Sequence, residues 1–298
     1  MPSVGIAGDA SNSAVTVRYV ESARKRSSSR PLLSRTEVFS GLLIVGFASG
    51  ITPVIVESVA SGGPVSALLH TFGISVLVWV GFFMACIFVS REPPEPLTTM
   101  DRLVAAIAVG AFLLPLFHFS WIALTGLAIY LAWTSTPGSW SRRGAWIVLA
   151  IAAPMFWTPR LFSLFSDLIL QADAIFVSWI VGTERVGNAI PLADGTGYLF
   201  IAPPCSSLAN VSLAILCWVL FVQSAERPDP SRYLWWCLLA CVAVVAINVV
   251  RISLIGLSPE HYQLLHGPIG AGVASAAALG AMVAICLLGT RRDLLARA

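Results

Sequence analysis

Three side chains that can do covalent chemistry together stand at or near the ends of three different apolar runs. Cys205 follows Pro203-Pro204 and opens one run with Ser206. Arg251 closes Asn248-Val249-Val250-Arg251 late in the next, and His266 begins His266-Gly267-Pro268-Ile269-Gly270 ahead of the last. A thiol ionises to a strong nucleophile and an imidazole moves the proton. A fixed guanidinium stabilises charge developing on a carbonyl oxygen, an effect worth about 3 kcal/mol per donor. The set suits acyl transfer through a thioester. The chain has no H-E-x-x-H pair, no G-x-S-x-G elbow and no G-x-x-x-x-G-K phosphate loop. No cofactor and no metal is implied.

Each residue also has a plainer role. Cys86, Cys217, Cys237, Cys241 and Cys286 lie inside apolar runs, where cysteine is usually an inert small hydrophobe. Cys205 differs because it stands at a boundary: two prolines suit a helix entrance, and a helix start near an arginine favours the thiolate. Arg251 either snorkels to the interface or acts where it stands, and it is the one basic residue inside an apolar run. Asn248, one turn earlier, is spaced to orient it. His261 competes with His266 for the role of base. It follows Ser258-Pro259-Glu260 in a loop and reads as solvated, whereas His266 stands beside Gly267 and Gly270, which permit close approach. His70 and His118 have no such partners and read as packing or loop residues.

The elements that must position these groups are membrane spans. Hydrophobic residues make up 57% of the 298, charged residues 11%, and mean hydropathy is +0.84. These values exclude an ordinary soluble domain. The net charge of +3 forms no basic patch, so nucleic acid is not an expected partner. The expectation is an all-α polytopic membrane protein of about eight transmembrane helices with an interfacial amphipathic helix. Residues 1–37, polar and arginine-rich, read as a disordered cytoplasmic tail. Residues 38–290 form the membrane domain, and 291–298 a cytoplasmic C-terminal tail.

Within it, 38–60 and 65–89 read as a hairpin about Gly62-Gly63-Pro64. The run 103–133 is too long for one crossing and is split near Phe117, after Pro115, into two short spans. A run at 144–157 follows. Residues 160–181 repeat polar positions every three to four residues and read as an interfacial helix; a span with its polar stripe turned inward is the alternative. Residues 182–204 form an exposed loop with Asn188, Gly195 and Gly197 as turn signals. The final spans are 205–222, 233–257 and 267–288, the last with Gly272, Ala276 and Gly280 spaced to pack closely on a neighbour. One topology puts all but Arg160, Arg185 and Arg251 of the eighteen basic residues on the cytoplasmic side. It places Cys205, Arg251 and His266 together at the outer face of a cytoplasmic membrane.

These residues resemble the exosortase and archaeosortase family, multi-pass membrane cysteine proteases that act as transpeptidases on C-terminal sorting signals. Cys205-Ser206, Asn248 through Arg251, and His266 through Gly270 match that family's motifs in order. Gly187-Asn188 with Ile190-Pro191 resembles its outer loop. The likeness covers 174–272, and Ser207 stands where the family usually has Gly. It implies Cys205 as nucleophile, Arg251 as oxyanion stabiliser and His266 as acid-base residue, with Asn248, Ser206 and Gly270 in support. Implied partners are membrane lipids and substrate proteins ending in a short motif, a transmembrane helix and a basic tail. Two other functions fit the residues. One is a transporter or assembly factor holding an anionic solute or lipid at Arg251; the other is a binder of sorting signals that does not cut.

Overall fold

The structure, a computed structural model, describes residues 33–114, 116–225, 230–257 and 262–295. Ten helices and one short hairpin make up the described chain: α1 (Arg35–Leu69), α2 (Val76–Ser90), α3 (Thr99–Leu113), α4 (Phe117–Thr134), α5 (Trp140–Ala152), α6 (Thr158–Val181), β1 (Ala189–Pro191), β2 (Tyr198–Phe200), α7 (Leu208–Ser224), α8 (Pro230–Leu257), α9 (Tyr262–His266) and α10 (Pro268–Leu295). The described residues are mainly helical, as expected, with one antiparallel strand pair, β1–β2. Among the described residues five stretches are long and apolar enough to cross a membrane: α1, α4, the continuous run Trp140–Val181, Leu234–Leu257 and Pro268–Arg291. Val76–Ser90 and Leu208–Ser224 are shorter apolar helices.

Local chemistry sets the helix starts. Ser34 and Glu37 form a reciprocal capping box that starts α1 at Arg35, three residues before the expected span; residues 1–32 of the expected tail lie outside the described residues. Thr98 and Asp101 start α3 in the same way. Gly63, at φ 75°, breaks α1 but does not reverse it, so the expected hairpin at Gly62-Gly63-Pro64 is corrected: the chain resumes a helix through Leu69. It turns at Thr71-Phe72-Gly73, where all three φ values are positive. The split near Phe117 is found, with α3 ending at Leu113 and α4 beginning at Phe117. Between α5 and α6, Ala153–Trp157 forms a π-helical turn containing Pro154, where the missing N–H loosens the ladder.

Hydrogen bonds gather one set of helix ends. Arg35 Nε meets Asp101 at 3.0 Å and its Nη2 donates to Thr134 at 2.5 Å; the Ser141 N–H donates to Glu92 at 2.8 Å, and Arg143 donates to the Ala225 carbonyl. The starts of α1, α3 and α5 therefore meet the ends of α2, α4 and α7. The segment preceding α7, the end of α8 and α9 lie at the opposite end.

Two hydrophobic clusters result. The larger joins α1 to α5, α7, α8 and α10 around Trp121, Leu124, Ile147 and Leu216. Close approach there needs glycine: a Cβ on Gly144 would meet Val89 at 2.6 Å and the Ala85 carbonyl at 3.0 Å. The smaller joins Leu170, Ala174, Val177 and Val181 of α6 to Ile190, Ile201, Val249 and Ile252. The polar stripe of α6 is divided between its faces: Asp173 and Ser178 are buried, while Asp167 and Gln171 are exposed. Gly272, Ala276 and Gly280 of α10 do not pack on a neighbouring helix as expected. All three are exposed, and a Cβ on Gly272 or Gly280 would meet nothing within 4 Å. α10 itself runs to Leu295, past the expected start of the C-terminal tail at 291.

Candidate functional site

At the end of the bundle away from Arg35 and Asp101 lies a pocket of about 150 Å³. It is lined by Cys205, Arg251 and His266, with Leu199, Phe200, Ile201, Ala202, Ile252, Ile255 and Tyr262 as its largely apolar wall. The structure thus brings the three reactive side chains of the sequence to one cavity, from the segment before α7, from α8 and from α9.

Cys205 sits differently from expectation. It ends a 3₁₀ turn, Pro203–Cys205, and α7 begins only at Leu208. The turn is closed by the Cys205 N–H donating to the Ala202 carbonyl at 2.8 Å. The amides at the start of α7 are occupied: the Ser207 N–H donates to Asp173 Oδ2 at 3.0 Å and the Leu208 N–H to Ser206 Oγ at 3.2 Å. Asp173, only 5% exposed, places its carboxylate at the amino end of that helix, where its charge suits the helix dipole. Ser206 is buried, and its hydroxyl is the acceptor for the Leu208 amide.

Asn248 also does something other than expected. Its Nδ2 group donates to the Cys205 carbonyl at 2.7 Å and to Ser207 Oγ at 3.0 Å, so it fixes the cysteine segment and not Arg251. Ser207 supplies the acceptor for its second N–H.

Arg251 is held by α9: its Nε–H donates to the Leu265 carbonyl at 3.1 Å. Among the described residues its two terminal nitrogens have no hydrogen-bond partner. That carbonyl is presented by a tight junction between α9 and α10. A Cβ on Gly270 would strike the backbone of Leu264 and Leu265, and one on Gly267 would strike the Gln263 carbonyl. Both glycines are there for close backbone approach. His266, exposed, stands edge-on to the Tyr262 ring with centroids 4.9 Å apart.

The competing histidines fall elsewhere. His261 lies outside the described residues. His70 caps the end of α1, and the His118 ring lies tilted against Phe117 with centroids 3.9 Å apart; neither lines the pocket. Among the described residues no three His, Cys, Asp or Glu side chains group as a metal site.

The hairpin was missed at the sequence level. It is anchored by the Ala193 N–H to the Gly256 carbonyl at 3.0 Å, and by Asn188 Nδ2 to the Ile201 carbonyl at 3.0 Å. Its signal was present: Asp194-Gly195 is a turn pair flanked by Ala189-Ile190-Pro191 and Tyr198-Leu199-Phe200.

No family model, curated protein or solved structure matches the chain. What the pocket can do is read from its own chemistry. A half-buried thiol, a cation whose terminal nitrogens have no partner among the described residues, and an exposed imidazole share an apolar recess. These are the parts needed to attack a carbonyl, hold the resulting oxyanion and move one proton each way.

Proposed function

We propose that the chain is a membrane-embedded cysteine endopeptidase or transpeptidase that acts on C-terminal sorting signals of exported proteins. The observation that carries this reading is that Cys205, Arg251 and His266, from three separate elements, line one pocket. In the proposed reaction His266 takes the Cys205 proton as Sγ bonds to the scissile carbonyl carbon. The carbonyl oxygen becomes an oxyanion against the terminal nitrogens of Arg251. The carbon–nitrogen bond then breaks, the leaving amine takes the proton from His266, and a thioester remains for water or an amine to resolve.

The same reading has α1 to α5, α7, α8 and α10 crossing a cytoplasmic membrane eight times, with α6 at its surface. Arg35, Arg91, Arg102, Arg142 and Arg143 lie at one end of the bundle, at the starts of α1, α3 and α5 and the end of α2. This clustering supports a cytoplasmic orientation for that end and an outward one for the pocket. α2 and α3, of 15 residues each, are about 22 Å long. They cross only where neighbouring helices or a thinned bilayer accommodate the shortfall.

The test is selection. Membranes containing the full chain are supplied with a library of reporter proteins that end in a randomised short motif, an apolar helix and an arginine tail. Release of the reporter from some members is expected, and it should vanish with Cys205→Ala, Arg251→Ala or His266→Ala. No release, or equal release with Cys205→Ala, overturns the reading. Anion transport retained by the Cys205→Ala chain would establish a carrier in its place.

A further inference from the structure

The hairpin that walls the pocket has two outer edges, and they are in different states. The edge of β1 is covered. Ala189 exchanges both of its backbone hydrogen bonds with Val186, at 2.9 and 3.0 Å, and the Thr183 hydroxyl donates to the Pro191 carbonyl at 2.9 Å. These outward bonds set the phase of the ladder, because residues of an antiparallel pair alternate between bonding their partner and facing away from it. Ala189 and Pro191 oppose Phe200 and Tyr198, so those two also face outward, while Ile190 pairs with Leu199. The flanking bonds keep the same phase: the Ile201 N–H donates to Asn188 at 3.0 Å and the Leu192 N–H to Gly197 at 3.0 Å.

The N–H and C=O groups of Tyr198 and Phe200 therefore point away from β1, and among the described residues no bond outside the hairpin takes them up. The two residues are 61% and 65% exposed. The edge is continuous with the reactive pocket. Leu199, Phe200, Ile201 and Ala202 line it in succession and lead directly to Cys205.

We propose that the open edge of β2 binds the substrate as an extended polypeptide, which adds as a third strand and carries one of its carbonyl carbons to Cys205 Sγ. This rests on the peptidase reading and specifies how the peptide is held. Two outward N–H groups alternating with two outward C=O groups are matched by another peptide backbone; a lipid headgroup or a small anion would leave the acceptors unmet. The Arg251 guanidinium in the pocket complements a carbonyl oxygen. The pocket's wall of Leu199, Phe200, Ile252 and Ile255 accepts an uncharged side chain at the residue nearest the thiol. Backbone bonds thus supply affinity and the apolar wall supplies preference.

The experiment uses the full chain in detergent micelles and a pool of hexapeptides of Gly, Ala and Leu ending in a vinyl sulfone, with intact-mass detection of alkylation at Cys205. Normalised to reactivity with glutathione, the peptides should alkylate Cys205 on the order of tenfold faster than iodoacetamide does, the scale of one or two backbone hydrogen bonds. N-methylation at alternate peptide amides should abolish that advantage, while methylation at the intervening ones leaves it. Phe200→Pro removes an outward N–H without touching the ladder to β1, and should lose the same advantage. Should that variant fail to fold, the methylation series still decides. A peptide advantage indifferent to the position of methylation overturns the strand proposal and leaves the nucleophile reading standing. No peptide advantage, together with alkylation unaffected by His266→Ala, overturns both.

Discussion

Asn248 and Cys205, 43 residues apart in the chain, are joined by a hydrogen bond of 2.7 Å from the Asn248 side-chain amide to the Cys205 carbonyl. Asn248 is 5% exposed, so the donor end of that bond is buried. Asn248→Asp keeps the shape and removes both donors. It should lower stability by about 1–3 kcal/mol, the cost of leaving buried polar groups unmet. It should also speed iodoacetamide alkylation of Cys205 as the segment loosens. An unchanged melting temperature and alkylation rate would mean that the bond contributes nothing.

Gly270→Ala tests the junction that presents Leu265 to Arg251. Its Cβ would collide with the backbone of Leu264 and Leu265, so the short helix α9 must shift and the Arg251 contact with it. The expected result is a destabilisation of about 1–3 kcal/mol from overpacking, with reporter release falling further than the loss of folded protein accounts for. Arg251→Lys should leave the fold intact and cut release by about 100-fold. A single ammonium cannot both bond the Leu265 carbonyl and present a fork to the pocket. Near-native release from either variant would remove Arg251 from the chemistry.

At the other end of the bundle, Asp101 is 1% exposed and accepts from Arg35 Nε, the Tyr130 hydroxyl, and the Thr98 backbone and hydroxyl. Arg35→Met leaves that carboxylate buried without its cation and should cost about 3–5 kcal/mol. The double variant with Asp101→Asn should recover part of the loss. A double-mutant cycle by thermal denaturation in micelles measures the coupling, and strictly additive losses would contradict it.

The hairpin turn should respond to acid. Backbone and hydroxyl hydrogen bonds from Thr196 hold the Asp194 carboxyl below the usual carboxylate range. A depressed folded-state pKa stabilises the turn above the unfolded value, and that contribution is lost as pH falls through the folded one. Hydrogen exchange at the Leu192 amide, which bonds the Gly197 carbonyl, should quicken on acidification below about pH 4 after correction for intrinsic rates. Asp194→Asn should remove that added dependence, and an identical profile in the variant would refute it.

What could be read ahead of the structure followed from signals that are strong and local. Hydrophobic runs located the helices, and Pro115 located the break between α3 and α4. The shared pocket followed from counting helical rise from one end. What escaped was set by single contacts or by backbone angles. Gly63-Pro64 carries the usual marks of a reversal, yet the chain resumes a helix that runs to Leu69. The true turn depends on positive φ at Thr71 and Phe72, residue types that give no warning of it. Asn248 is spaced to serve Arg251 along its own helix. That it reaches instead to Cys205 and Ser207 depends on how α8 is rotated against α7, which periodicity does not encode. The start of α7 was placed three residues early because Pro203-Pro204 begins a 3₁₀ turn before the helix proper.

The smaller hydrophobic cluster beneath the pocket has a mechanical consequence. Eight buried side chains from α6, β1, the segment entering α7 and α8 form it. The large core shares only α8 with it among the helices that carry those side chains. Separating α6 from α8 would expose a handful of residues and leave Trp121, Ile147 and Leu216 undisturbed, so this corner can breathe at a free energy well below that of global unfolding. A rigid barrel thus carries a softer jaw, and the thiol is mounted on the jaw's inner edge.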